Sequence, residues 1–258
     1  MGEKFFKLRG GGEIFFKKIP GNEEKPVLVF LHEGLGCIEM WKGFPDLVCD
    51  QMGFPGLVFD REGYGRSSPL KKNRTKNYMH DYALNELPEV ISGLIPGKRF
   101  FLIGHSDGGS IALIYSSVYK ENLLGIIVEA PHISVEEKAL TGIRKAVEAF
   151  KAGRLDSLKK YHSEKTEAVF FAWANTWLSE SFRDWNIRDC LKSISCPVLV
   201  IQGKKDQYAT DDQVNGISEI VQSAQSILID DSGHSPHLEK DDLVLSCIAR
   251  FIKGLFHS

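Results

Sequence analysis

Short apolar runs alternate with amphipathic stretches along most of this chain. PVLVFL (26–31), GLVFD (56–60), RFFLIG (99–104), LLGIIVEA (123–130), CPVLVIQG (196–203) and QSILID (225–230) are bounded by glycine, proline or charge. Runs of that length, rich in Val, Ile, Leu and Phe, predict strands buried on both faces. Between them, 79–94, 106–120, 211–222 and 237–254 carry helical patterning. A strand–loop–helix order repeated in this way predicts an α/β fold, a parallel sheet with helices on both faces. FFKL and EIFFKKI flank Gly10-Gly11-Gly12 near the start, which predicts an antiparallel hairpin at one edge.

One interval breaks the rhythm. From Ser134 to Cys190 no strand-like run occurs, and Trp173, Trp177, Trp185, Phe170, Phe171, Phe182, Tyr161 and His162 recur at roughly helical spacings. The expected organisation is one domain over 1–258, with its core in 1–133 and 191–258 and a helical cap inserted over 134–190. Ordinary packing accounts for most of the cap aromatics, leaving one or two to touch a substrate.

Composition adds exclusions. At 258 residues, 43% hydrophobic and 26% charged, the chain suits a single globular core. A formal charge of −2, with cationic clusters as short as KKNRTK (71–76), argues against a nucleic-acid partner. No apolar run approaches the roughly 20 residues needed to cross a bilayer, and the first residues lack the apolar segment of a signal peptide. The cysteines at 37, 49, 190, 196 and 247 form no CxxC pair. Neither a disulfide framework nor a zinc site is signalled, and reduced thiols in a cytoplasmic protein are the expectation.

The candidate chemistry centres on GHSDGGS (104–110), where the strand RFFLIG gives way to a helix. A serine between glycines at such a junction fits a nucleophile elbow, in which a strained backbone presents the hydroxyl over the helix N-terminus. A helix N-cap is the competing use of Ser106. A serine hydroxyl needs a base, and the base needs an acid to fix its tautomer. His234, in DDSGHSPHLEK after the last strand, lies on a loop at the same sheet edge as Ser106 and is the predicted base. His237 suits capping or packing, His105 points away from the serine, and His80, His132, His162 and His257 fit surface or core roles. Asp206, just past the strand VLVIQG, completes the chain order Ser, Asp, His; Glu129 is the competing acid, and Asp211 and Asp212 suit helix capping. The oxyanion formed on a substrate carbonyl needs backbone donors. Asp107 supplies one amide and the HEGLG loop (32–36) the other, from Gly34 or else Leu35. The Asp107 carboxylate is then left to cap its helix.

HEGLG, DREGYGRSS, GHSDGG, GKKD and SGHSPH fall in order along essentially the whole chain, and with them it resembles the α/β-hydrolase superfamily. That resemblance implies a mostly parallel eight-stranded sheet, a helical cap, no metal and no organic cofactor. It also implies Ser106 as nucleophile, Asp206 as acid, His234 as base, and the amides of Gly34 and Asp107 as the oxyanion hole. Many members carry His-Gly where this chain has His32-Glu33. The extra carboxylate of Glu33 either forms a salt bridge, with Arg61 or Arg66 nearest in motif, or orients a cationic or hydrogen-bonding group of the substrate. The expected function is hydrolysis of a small apolar or aromatic carboxylic ester through an acyl-enzyme on Ser106. A carbon–carbon bond hydrolase of the same fold and a receptor-like ligand binder are the alternatives. The expected partner is a small-molecule substrate, with no nucleic acid and no membrane.

Overall fold

The structure, a computed structural model, describes residues 4–256. β1 (Phe5–Lys7) and β2 (Glu13–Ile19) form the opening hairpin, and β3 (Val27–Leu31), β4 (Gly56–Phe59), β5 (Phe100–His105) and β6 (Leu123–Glu129) follow. β7 (Val198–Gly203) and β8 (Ala224–Ile229) complete an eight-stranded sheet in the order β1-β2-β4-β3-β5-β6-β7-β8. β2 pairs antiparallel with both β1 and β4. All the remaining pairings are parallel, so β3 to β8 bring their C-terminal ends to one edge. In open sheets of this kind, ligands bind outside those ends.

The central strands β3 to β7 are buried and largely apolar because each faces helices on both sides, whereas β8, expected to be buried on both faces, lies at the sheet edge and exposes Gln225 and Ser226. Val27, Val29 and Leu31 of β3 join one core with Phe100 and Leu102 of β5 and with Ile111 and Ile114 of the helix Asp107–Val118. The alternate residues Leu28, Phe30, Phe101 and Ile103 join a second core with Val48 of the helix Phe44–Met52 and Ile248 and Ile252 of the helix Asp241–Gly254. The period-two division of each central strand between two cores explains its scarcity of polar positions.

The helix Phe44–Met52 has no counterpart among the elements that the patterning predicts. Its nine residues bury Phe44, Pro45, Val48 and Cys49, too short a stripe to register as helical periodicity. The helix expected over 79–94 extends from Tyr78 to Leu94 with a π turn at Tyr82–Glu86. That expected over 237–254 breaks at Lys240 into Pro236–Glu239 and Asp241–Gly254.

Between β6 and β7 the chain forms helices at Glu137–Lys151, Lys159–His162, Thr166–Leu178 and Arg188–Leu191. The insertion leaves and re-enters side by side: Ser134 bridges Asn186, Ile187 N donates to Ile133 O at 2.8 Å, and Val135 N donates to Trp185 O at 3.2 Å. Gln213 Oε1 accepts from the Ile133 amide at 2.7 Å and ties this neck to the helix Asp211–Ile220. Thr210 caps that helix, its side chain accepting from the Asp212 amide, so Asp211 and Asp212 occupy the first turn and do not cap it as expected. All five cysteines are free thiols. Among the described residues no helix is long and apolar enough to cross a membrane.

Candidate active site

Ser106 joins β5 to the helix Asp107–Val118 with φ 52° and ψ −117°, a conformation that costs a non-glycine residue about 1–3 kcal/mol. Its surroundings hold it there. Ser106 N donates to Glu129 O at 2.8 Å, and Ser106 O accepts from Ser110 N at 3.0 Å. The flanking glycines permit the crowding: a Cβ on Gly104 would lie 2.3 Å from Gly108 O, and one on Gly108 would lie 2.0 Å from Leu31 O. The serine makes no side-chain cap bond, which removes the N-cap reading. Its Oγ lies instead 2.9 Å from His234 Nε2.

His234 Nδ1 donates to Asp206, 3.0 Å from Oδ1 and 2.9 Å from Oδ2. Asp206 Oδ1 also accepts from the amides of Tyr208 (2.7 Å) and Ala209 (3.1 Å). Burial works to raise the Asp206 carboxyl, but the hydrogen bond and charge of His234 outweigh it and hold the group below the ordinary carboxylate range. Glu129, the competing acid, is engaged elsewhere, accepting from His237 Nδ1 at 3.0 Å and His237 N at 3.2 Å. His237 thus has a packing role beneath the site.

The HEGLG loop follows β3. His32 Nδ1 donates to Glu33 O at 2.8 Å while its Nε2 accepts from the Arg61 amide at 3.2 Å. The buried Arg61 guanidinium donates to the carbonyls of both His32 and Glu33. Burial, then the nearby Arg61 charge, lowers His32 well below its ordinary value, so it serves as a neutral clamp. With its carbonyls held on one side, the loop places Gly34 against Trp173 and Asp107: a Cβ there would lie 2.6 Å from Trp173 Nε1 and 3.1 Å from Asp107 Oδ2.

Glu33 does not pair with Arg61 or Arg66 through its carboxylate as expected. Its Oε2 lies 3.6 Å from Nδ1 of the buried His105, whose Nε2 donates to the backbone carbonyl of His234 at 2.7 Å. Burial raises the Glu33 carboxyl, yet the contact with His105 overcomes it and brings the group to about 2. The same contact overcomes burial in the opposite sense for His105, which rises above its ordinary value. Glu33, His105 and the His234 carbonyl therefore form a chain beneath the imidazole that faces Ser106. The physical cause is register: Leu31 is paired with Gly104, so the residues just beyond β3 meet those closing β5.

The Asp107 carboxylate does not cap its helix. Its Oδ2 accepts from Tyr78 Oη at 2.7 Å, and Tyr78 Oη accepts in turn from Trp177 Nε1 at 2.9 Å. Burial raises Asp107 above the ordinary carboxylate range, against the pull of Arg61 and Tyr78.

Ser106, His234, Glu33, Gly34 and Asp107 all open on a cavity of about 840 Å³. The inserted helices form much of its wall, with Ile143, Leu158, Trp173 and Trp177 among the apolar side chains. Of the aromatics in the insertion, Trp173 and Trp177 reach the cavity, while Phe182 stacks on Trp185 with ring centroids 5.3 Å apart. Among the described residues no cluster of His, Cys, Asp and Glu could hold a metal ion.

Residues 28–246 match the sequence profile of the alpha/beta hydrolase family. The chain belongs to that family. The proline iminopeptidase of Saccharolobus solfataricus is 24% identical over 98% of this chain and 93% of its own length. The 2-succinyl-6-hydroxy-2,4-cyclohexadiene-1-carboxylate synthase of Enterobacter sp. (strain 638) is 23% identical over 88% of this chain and 92% of its own. Among solved structures, a thermophilic esterase from Thermogutta terrifontis shares the fold at a TM-score of 0.74, with 20% identity and 99% of each chain covered.

Two residues of this alpha/beta hydrolase reach the site without having been singled out by motif. Tyr78 does so through Asp107. His132, expected in a surface or core role, lines the cavity with its ring centroid 5.9 Å from that of His234. Its position just past β6, on the same sheet edge as Ser106, is the signal that could have found it. His162 is structural, accepting from the Gly65 amide at 3.0 Å and donating to Leu35 O at 2.8 Å. His257 lies outside the described residues.

Proposed function

We propose that this chain is a serine hydrolase that cleaves a carboxylic ester through an acyl-enzyme on Ser106. The observation that carries the reading is the unbroken chain from Ser106 Oγ through His234 to Asp206, with separations of 2.9 to 3.0 Å, opening on a largely apolar cavity.

In this reading His234 Nε2 takes the proton of Ser106 Oγ as the oxygen attacks the substrate carbonyl carbon. Negative charge then collects on the carbonyl oxygen. The amides of Gly34 and Asp107 receive it, and neither donates to another acceptor among the described residues. A donor of this kind is worth about 3 kcal/mol of barrier. His234 returns the proton to the departing alcohol as the ester bond breaks. Water, deprotonated by the same imidazole, then attacks the acyl carbon and frees the acid and Ser106. Asp206 holds the Nδ1 proton of His234 throughout, and the helices inserted between β6 and β7 serve as a cap that shields the acyl-enzyme.

A cavity of about 840 Å³ falls toward the upper end of the range for drug-sized ligands. It favours an apolar acyl group larger than the small or aromatic one expected from the tryptophans and phenylalanines of 134–190. The relatives' names include a peptidase and a carboxylate synthase, so bond type is a matter for direct assay. Hydrolysis of para-nitrophenyl esters from acetate to decanoate, compared between wild type and Ser106→Ala, tests the proposal. Turnover that depends on Ser106 is expected. Ester hydrolysis undiminished in Ser106→Ala would assign the chemistry to another group.

A further inference from the structure

His132 has no role in the acyl transfer just described, yet it is buried to 3% exposure on the wall of the reaction cavity. Among the described residues its Nδ1, which is closed off from solvent, has no hydrogen-bond partner. A buried polar atom left unpaired costs on the order of 1–3 kcal/mol, and an aliphatic or phenyl side chain would fill the same volume without that cost.

The backbone beneath the ring is fixed with care. Ser110 Oγ donates to His132 O at 2.7 Å and accepts from His132 N at 3.0 Å, while the ring sits edge-on to Trp177 with centroids 5.0 Å apart. A side chain that is immobilised, unpaired and adjacent to the reacting histidine has the properties of a group awaiting a ligand; because Nδ1 is closed off, the ring would meet that ligand through Nε2.

The surroundings say what chemistry that ligand has. Burial, and then the neighbouring His234, lowers His132 to about 3, so its ring is neutral and offers one donor and one acceptor. The nearby carboxylates are engaged: Asp206 with His234, Asp107 with Tyr78, and Glu33 with His105. During acylation His234 gains a proton, which opposes a second positive charge beside it. A substrate carboxylate, which would call for a charged imidazole, fits this position poorly; a hydroxyl suits it, able to accept from or donate to the ring.

We propose that His132 is a substrate-binding residue that hydrogen-bonds a hydroxyl of the substrate, so that the enzyme selects hydroxylated esters over their plain aliphatic counterparts. The inference rests on the serine-hydrolase reading for its reaction and on the His132 geometry for its specificity. The hydroxyl could belong to the acyl chain or to the alcohol, and two series of compounds separate these sources. One compares para-nitrophenyl hexanoate with the hexanoates carrying a hydroxyl at each carbon in turn. The other compares propyl hexanoate with glyceryl monohexanoate.

In wild type, one hydroxylated member is expected to exceed its plain partner in kcat/KM by on the order of tenfold, the worth of a neutral hydrogen bond at a buried site. In His132→Ala that ratio falls to about one, and His132→Gln, which keeps a donor and an acceptor, restores part of it. A ratio, unlike a rate, is insensitive to a general loss of structure. The glutamine variant also keeps the test available if the alanine protein fails to fold. Calorimetric binding of the same pairs to Ser106→Ala protein, with and without His132→Ala, reads the preference without turnover. A preference for hydroxyl that depends on His132, in a protein that hydrolyses no ester, would sink the hydrolase reading and keep this one. Equal kcat/KM and equal affinity within every pair, or a preference that survives His132→Ala, overturns the proposal.

Discussion

Replacing Glu33 with glutamine removes a charge and little volume, which isolates the electrostatic part of its contact with His105. The fall of the Glu33 carboxyl from 4.5 to about 2, at about 1.4 kcal/mol per tenfold change in acidity, corresponds to roughly 3 kcal/mol of folding free energy. Because the folded value is depressed, that contribution is complete above pH 4.5 and is lost as the pH falls toward 2. His105 moves the other way. Its raised value means that its share is complete below its ordinary 6.5 and fades as the pH rises through the folded value. One interaction underlies both shifts, so the two are not added. Glu33→Gln is therefore expected to unfold at a temperature lower by on the order of 5–10 °C at pH 7, with the deficit shrinking to less than half by pH 3. Scanning calorimetry at the two pH values measures it. A variant as stable as wild type at pH 7, or a deficit identical at pH 3, refutes the pairing. Activity adds a second readout. Acting through His105 on the His234 loop, Glu33 should affect kcat and leave KM in place, whereas a carboxylate that orients substrate would raise KM.

Other consequences are as specific. Asp206→Asn removes the acceptor that holds the Nδ1 proton of His234 and should lower kcat by about 10⁴-fold with native circular dichroism; a loss under tenfold would remove Asp206 from the mechanism. Gly108→Ala puts a methyl 2.0 Å from Leu31 O and should destabilise the fold by about 3 kcal/mol or more in urea titration, since backbone must shift to admit it. Tyr78→Phe leaves the buried Asp107 carboxylate and Trp177 Nε1 without their shared partner. A stability loss of about 1–3 kcal/mol is expected, and an unchanged midpoint would show that neither depends on the hydroxyl.

Much of the fold is legible in the sequence because its central strands are buried on both faces, which makes them continuous apolar words such as VLVFL and FFLIG. The Ser106, Asp206 and His234 positions were readable for a related reason: each lies just past a strand, and parallel strands deliver those ends to one edge. What could not be read depends on which strands are neighbours. Glu33 looks like a partner for Arg61 by motif. It meets His105 because β3 and β5 lie side by side with Leu31 opposite Gly104, a register that no local pattern reports. The place of His132 just past β6 is legible in the sequence, but its distance from His234 depends on β6 lying between β5 and β7. The helix Phe44–Met52 escaped detection for want of length: its buried residues span barely two turns. Position alone suggests that the Asp107 carboxylate caps its helix, and only the packed structure brings Tyr78 to it.

The central claim is that Ser106 carries the acyl group. Mixing the protein with a fluorophosphonate and mapping the adduct by peptide mass spectrometry tests it most directly. A stoichiometric phosphonyl group on Ser106, absent from Ser106→Ala and strongly slowed in His234→Ala, is the predicted result. Unmodified Ser106 in protein that still hydrolyses esters, or an adduct on another residue, would contradict it.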